Sequence, residues 1–98
     1  MPTEIISIRP LSAMQARRMG LGILPIRRTA RELKEQDLLT DDMDNHQRAE
    51  VIALAMMSRD QKTFEAVLAE DGRDWEAFFA AIVAFLEKLM PLIMLFLG

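Results

Sequence analysis

The sequence contains no cysteine and no tyrosine, and it has only one histidine and one tryptophan among its 98 residues. Without cysteine the chain can form no disulfide framework, no thiol nucleophile and no zinc–cysteine site. One histidine and three serines also leave few ways to pair a nucleophile with a base. We therefore expect a protein that is not an enzyme and that needs no cofactor and no metal.

The composition is that of a globular protein, with 51% hydrophobic and 28% charged residues. At this length we expect one domain with a modest core. Arg17 and Arg18 form a twin-arginine pair, but the apolar stretch after them is too short for an export signal. We expect no secretory signal peptide and a cytoplasmic or particle-associated protein, with membrane association as the alternative.

Charge is distributed unevenly along the chain. Residues 1–34 carry seven basic and two acidic side chains, whereas residues 35–98 carry five basic and thirteen acidic ones. This asymmetry predicts a basic amino-terminal arm that contacts acidic surfaces of a neighbouring copy; phosphate or lipid head groups are the other partners we consider. The arginines expected to make this electrostatic contact are Arg9, Arg17, Arg18, Arg27, Arg28 and Arg31.

Residues 1–28 are predicted to form this arm, partly extended. The β-branched run Glu4–Ile8 precedes Arg9-Pro10 and is typical of an extended segment or an edge strand. Leu11–Met19 has room for one or two helical turns, with Ser12 as the cap. Glycine and proline at positions 20, 22 and 25 interrupt any longer element.

Residues 29–72 are predicted to form a bundle of short helices. Thr29 opens a capping-box pattern and begins a helix that runs to about Leu39. Thr40 or Asp41 caps a second helix, and Ser58 caps a third that ends at Gly72. With a last helix in residues 73–98, capped by residue 74, the sequence predicts an all-α protein of about four helices.

The segment Ala77–Leu97 is apolar except for Glu87 and Lys88, and it contains Pro91. Helical spacing separates a face of bulky side chains from a stripe of alanines. Because Pro91 lacks a backbone N–H, we predict a kink just before it. The length is sufficient to span a bilayer, but the two central charges make the insertion energy nearly neutral.

We predict that this segment is covered by something other than water, because an isolated monomer would expose too much apolar surface. The preferred cover is protein, in a homo-oligomer or a larger assembly; membrane is the alternative, and the core helix of a compact domain is the rival interpretation. The residues expected to contact an oligomer, a partner or a membrane are Phe78, Phe79, Ala80, Ala81, Ile82, Ala84, Phe85, Leu86, Leu89, Met90, Ile93, Met94, Phe96 and Leu97.

Two weaker chemical patterns remain. Asp42, His46 and Glu50 follow one another at intervals of four and project from one helical face, a spacing compatible with a metal. Acidic residues are ordinary near a helix start, so we expect a solvated face here and no metal. Nucleic-acid binding through the basic arm is a third functional alternative, disfavoured because residues 1–34 contain no aromatic side chain for stacking.

Overall fold

The computed structural model describes residues 8–97, in which five helices and no strand occur. The all-α class is therefore confirmed, with one helix more than the four predicted. The extended segment predicted for residues 4–8 lies outside the described residues, apart from Ile8. The helices are α1 Ala13–Arg18, α2 Ile23–Glu35, α3 Asn45–Arg59, α4 Gln61–Asp71 and α5 Trp75–Leu97.

Helix α1 is the short helix that the sequence predicts after Ser12. The Ser12 hydroxyl accepts a hydrogen bond from the backbone N–H of Gln15, and the Gln15 side chain accepts one from the backbone N–H of Ser12. This reciprocal capping box satisfies two backbone donors at the helix start. The turn after the helix passes through Gly20, whose φ of 68° suits a residue without a Cβ.

The predicted start of the next helix at Thr29 is wrong, because α2 begins six residues earlier. Gly22 is the N-cap, and Pro25 lies in the first turn, where a missing backbone N–H breaks no helical hydrogen bond. Thr29 lies inside the helix, and its hydroxyl donates to the backbone carbonyl of Pro25 at 3.0 Å. The helix also ends at Glu35 rather than near Leu39. Two helices thus occupy much of the described part of the predicted arm.

The predicted caps of α3 and α4 are also wrong. Asp44, not Thr40 or Asp41, caps α3 through a capping box with Gln47. Helix α3 continues through Ser58, so that α4 begins after Asp60, which makes no side-chain cap. The Ser58 pattern fails because a capping residue needs a non-helical backbone, and this one stays helical.

The two signals around α5 are confirmed. Gly72 ends α4 in the left-handed conformation, with φ of 81°. An Asp74 carboxylate oxygen accepts a hydrogen bond from a backbone N–H in the first turn of α5 at 2.8 Å. Helix α5 is continuous through Pro91, and the kink stays a prediction.

Helix α5 supplies the centre of the hydrophobic core. Phe78, Ile82, Leu86, Met90 and Ile93 are completely buried, and their spacing of four or three residues places them on one face of the helix. Each such side chain contributes about 1.5–3 kcal/mol by leaving water. This face packs most extensively against α3 and next against α2, whereas α1 packs on α4.

Candidate interaction surface

The carboxyl-terminal turns of α5 expose large apolar side chains next to the buried stripe. Ile93 is buried, but Leu95 and Phe96 are 74% and 51% exposed and Leu92 is exposed to a lesser degree. The sequence from Leu92 to Leu97 is apolar all round, so a core on one side leaves the other side in water. Neighbouring exposed apolar side chains make this helix end a candidate contact surface.

Basic side chains of α2 lie next to this helix end. The Arg27 guanidinium carbon is 5.4 Å from the centroid of the Phe96 ring, within the range of a cation–π interaction. The Lys34 ammonium group donates to the backbone carbonyl of Leu97 at 3.5 Å, where the helix end presents negative charge. Leu24 is exposed and lines the same shallow depression of α2 as Arg27. We call Leu24, Leu92, Leu95 and Phe96, with Arg27, the terminal patch.

Thirteen of the fourteen predicted contact residues of α5 are buried or half-buried within their own chain. Six are buried in the described structure and seven are half-buried, leaving Phe96 as the exposed member of the set. The buried ones are Phe78, Ala81, Ile82, Leu86, Met90 and Ile93, and the half-buried ones are Phe79, Ala80, Ala84, Phe85, Leu89, Met94 and Leu97. A partner that leaves the fold intact therefore meets chiefly Phe96 and its neighbours.

Sequence reasoning missed three residues of the terminal patch. Leu92 and Leu95 belong to the apolar run after Pro91 but were not among the predicted contacts, and Leu24 was assigned to the arm. The uniform apolarity of Leu92–Leu97 is a signal for exposure of some side chains there. It does not indicate which ones, because that depends on how α2 and α3 pack.

Two of the predicted arm arginines make ion pairs within their own chain. The Arg9 guanidinium donates to the Asp71 carboxylate at 2.9 Å and to the Asp71 backbone carbonyl at 3.0 Å. Arg18 pairs with Glu70, which lowers the pKa of that carboxyl and raises the pKa of the guanidinium. The amino-terminal segment is therefore attached to the end of α4. Arg17, Arg28 and Arg31 are exposed.

The buried side chain of Asp71 is the centre of a hydrogen-bond network. Its side chain is only 4% exposed and accepts hydrogen bonds from Arg9, Gln15 and Arg73. Arg73 also donates to the backbone carbonyl of Arg9, so one guanidinium bridges the α4–α5 junction and the segment before α1. The Arg73 guanidinium, followed by the Gln15 amide, lowers the pKa of Asp71 to about 2.

We expect this carboxylate to contribute to the acid sensitivity of the fold. A folded-state pKa of about 2, below the ordinary 3.8, means that the ionised side chain stabilises the protein above pH 4. This contribution is lost as the pH falls toward 2. Urea denaturation followed by circular dichroism at pH 5, 4, 3 and 2 is expected to show a larger loss of unfolding free energy in the wild type than in Asp71→Asn. An equal loss in both proteins would contradict the assignment.

His46 lies between two carboxylates on different helices. Its Nε2 is 3.4 Å from Glu50 on α3, and its Nδ1 is 3.4 Å from Glu87 on α5. The two nitrogens of one imidazole point in different directions, so these carboxylates do not converge with the ring on one metal position. Within residues 8–97, no group of three or more His, Cys, Asp or Glu could hold a metal ion. The arrangement instead links α3 to α5 at the surface.

Comparisons of the chain with protein-family models, with curated proteins and with solved structures find no significant match.

Proposed function

We propose that this chain is a non-catalytic structural protein that associates with copies of itself, or docks into a larger complex, through the carboxyl-terminal end of α5. The arginines of the amino-terminal region contact acidic surfaces of the neighbour. The terminal patch is the observation that carries the proposal. Leu95 and Phe96 stay in water although five bulky side chains of the same helix, the stripe from Phe78 to Ile93, are completely buried in the core.

The proposal also has an electrostatic basis. Arg28 and Arg31 are exposed on α2 and have no ion pair within the described residues, whereas Arg9 and Arg18 already have acidic partners. The guanidinium group forms planar, two-pronged hydrogen bonds with carboxylates and is common at protein interfaces. Exposed arginines beside apolar side chains are therefore suited to an acidic and partly apolar neighbour.

A substitution at the terminal patch tests the proposal in the full chain. Because α5 forms the core, deleting it would unfold the protein, so a point variant is preferable. Leu95→Glu places a charge on a side chain that is mostly in water, so we expect a folded monomer with little loss of stability. In the associated state the same charge is buried, and we expect self-association to weaken at least about 10-fold. Sedimentation velocity over a concentration series measures this change.

Leu54→Glu is the matched control. Leu54, on α3, is also exposed, and it lines a groove together with Trp75. Trp75 is at the first turn of α5, about 30 Å along the helix axis from Phe96. We expect this variant to associate like the wild type. A wild-type chain that sediments as a lone monomer at every concentration, with no lipid or partner bound, would overturn self-association. Dissociation by Leu54→Glu alone would place the contact elsewhere.

Membrane association is the second candidate. The observation that favours it is the length and apolarity of α5. Among the described residues, this is the one helix that is long enough and apolar enough to cross a bilayer. Two-thirds of its most apolar window is not buried in the chain. In this case Arg27, which lies over the Phe96 ring, is near acidic head groups. In a density gradient, we expect the protein to float when phosphatidylglycerol vesicles are present and to stay at the bottom when they are absent. This result would favour membrane association over protein assembly.

A further inference from the structure

Helix α2 presents one outward face whose charge changes sign along the helix. Leu24, Arg28, Arg31 and Glu35 are all exposed, and their spacing of four, three and four residues places them on one side. The opposite side, with Ile26, is buried in the core. Along this face the order is therefore apolar Leu24, basic Arg28 and Arg31, and acidic Glu35 at the end of the helix.

At positions 28 and 35 this face is complementary to itself when reversed. Two identical helices packed antiparallel about a two-fold axis bring residues into contact in reciprocal pairs. With the axis between residues 31 and 32, Arg28 faces the partner's Glu35 and Glu35 faces the partner's Arg28. Leu24 then approaches the partner's Leu38, which is half-exposed in the turn that follows α2.

We propose that this face of α2 binds the same face of a second copy of the chain, with the two α2 helices antiparallel. The inference rests on the proposed function and names its partner surface. Within the described residues neither Arg28 nor Glu35 has an ion pair, so both charges are available. Each dimer gains two symmetric Arg28–Glu35 pairs.

The terminal patch lies beside this face. Arg27 follows Leu24 by three residues on α2 and covers the ring of Phe96, so α2–α2 contact brings both α5 ends to the interface. This addition matters because a stable dimer buries about 800 Å² on each partner, more than one pair of short helices supplies. Exposed Leu95 and Phe96 then provide the apolar part of the interface.

The second copy fits this surface better than an anionic bilayer. Glu32 and Glu35 lie among the arginines around the depression on α2. Acidic head groups attract the arginines but repel these two carboxylates. The reversed copy instead offers the carboxylate of the partner's Glu35 to Arg28, and the guanidinium of the partner's Arg28 to Glu35.

A charge exchange in the full chain tests the pairing. Arg28→Glu and Glu35→Arg each replace two attractive pairs by two repulsive ones, and we expect each to weaken the dimer about 10-fold or more at low salt. The double variant Arg28→Glu/Glu35→Arg restores both pairs in reversed order and is expected to dimerise within about 3-fold of the wild type. Sedimentation equilibrium at 50 and 500 mM NaCl measures the constants. Losses that add in the double variant would overturn the pairing.

Disulfide cross-linking tests the antiparallel orientation independently, because the chain contains no cysteine of its own. Position 31 lies next to the proposed axis, so Arg31→Cys is expected to cross-link to its own copy under mild oxidation. Position 24 is separated from its copy by about 22 Å along the helices, so Leu24→Cys alone is expected to stay unlinked. Cross-linking of both variants would indicate a parallel, in-register arrangement, and absence of a cross-link in Arg31→Cys would remove position 31 from the axis; either result would overturn the proposal.

These results separate this inference from the proposed function. If Leu95→Glu dissociates the wild-type assembly while the charge exchange and the cysteine variants have no effect, the α5 end is a contact and the α2 pairing is wrong. If the wild type stays monomeric in buffer and floats with phosphatidylglycerol vesicles, both self-association proposals fail. Rescue by the double variant together with cross-linking at position 31 supports both.

Discussion

Leu86→Ala is expected to destabilise the fold by about 2–5 kcal/mol, because it removes a completely buried side chain and leaves a cavity. Leu86 lies in the middle of the buried stripe of α5, where the helix packs against α3 and α2. A domain of this size has a total stability of about 5–15 kcal/mol, so the loss is a large fraction of it. Urea denaturation monitored by circular dichroism measures the change.

Leu54→Ala is the matched control for this variant. It removes the same atoms from a side chain that is 55% exposed on α3. We expect a cost of about 0.5 kcal/mol or less, because surface substitutions away from special features have small effects. Equal destabilisation by the two variants would contradict the position of Leu86 in the core.

Asp71→Asn is expected to destabilise the protein by about 3 kcal/mol, because it leaves the buried Arg73 guanidinium without its carboxylate. The loss acts first on the amino-terminal segment, since Arg9 and Gln15 also donate to this carboxylate. We therefore expect faster hydrogen exchange at the amide of Leu21, which donates to Ala16 at 2.9 Å in the turn after α1. Denaturation and hydrogen-exchange mass spectrometry measure the two effects.

Glu70→Gln provides the comparison at the neighbouring position. Glu70 pairs with Arg18, but both side chains are largely exposed to water. Exposed ion pairs contribute about 0–1 kcal/mol, so we expect a small change in stability and little change in exchange at Leu21. Faster exchange at Leu21 in Glu70→Gln but not in Asp71→Asn would contradict the assignment. It would mean that the hydrogen bonds to Asp71 do not attach the amino-terminal segment to α4.

The helices whose boundaries the sequence predicts correctly are those with unambiguous local signals. Ser12, Gly72 and Asp74 each act as predicted, because each has a residue type suited to one backbone position. The start of α2 was wrong because Gly22 and Pro25 resemble helix breakers. In the N-cap position and the first turn, however, both residues are compatible with a helix.

The surface was less predictable than the fold because it depends on contacts between distant residues. Asp71 and Arg9 are separated by 62 positions, and no local pattern pairs them. The apolar run of α5 indicated that some side chains remain exposed, but only the packing of α2 and α3 decides that Ile93 is inside and Leu95 is outside. The rival interpretation, in which α5 is a core helix, accounts for its buried stripe. It does not account for the exposed side chains of the terminal patch.

The central place of α5 has a consequence for biosynthesis. The helix comes last among the described elements, yet α2 and α3 pack against it, and Ile26 and Ile52 belong to the same hydrophobic core as its buried side chains. At about 5–20 residues per second, roughly 4–14 s separate translation of Ile26 from translation of Leu97. During that interval the nascent chain holds apolar side chains with no interior to enter, so the ribosome-bound intermediate is the species most exposed to aggregation and to chaperone capture.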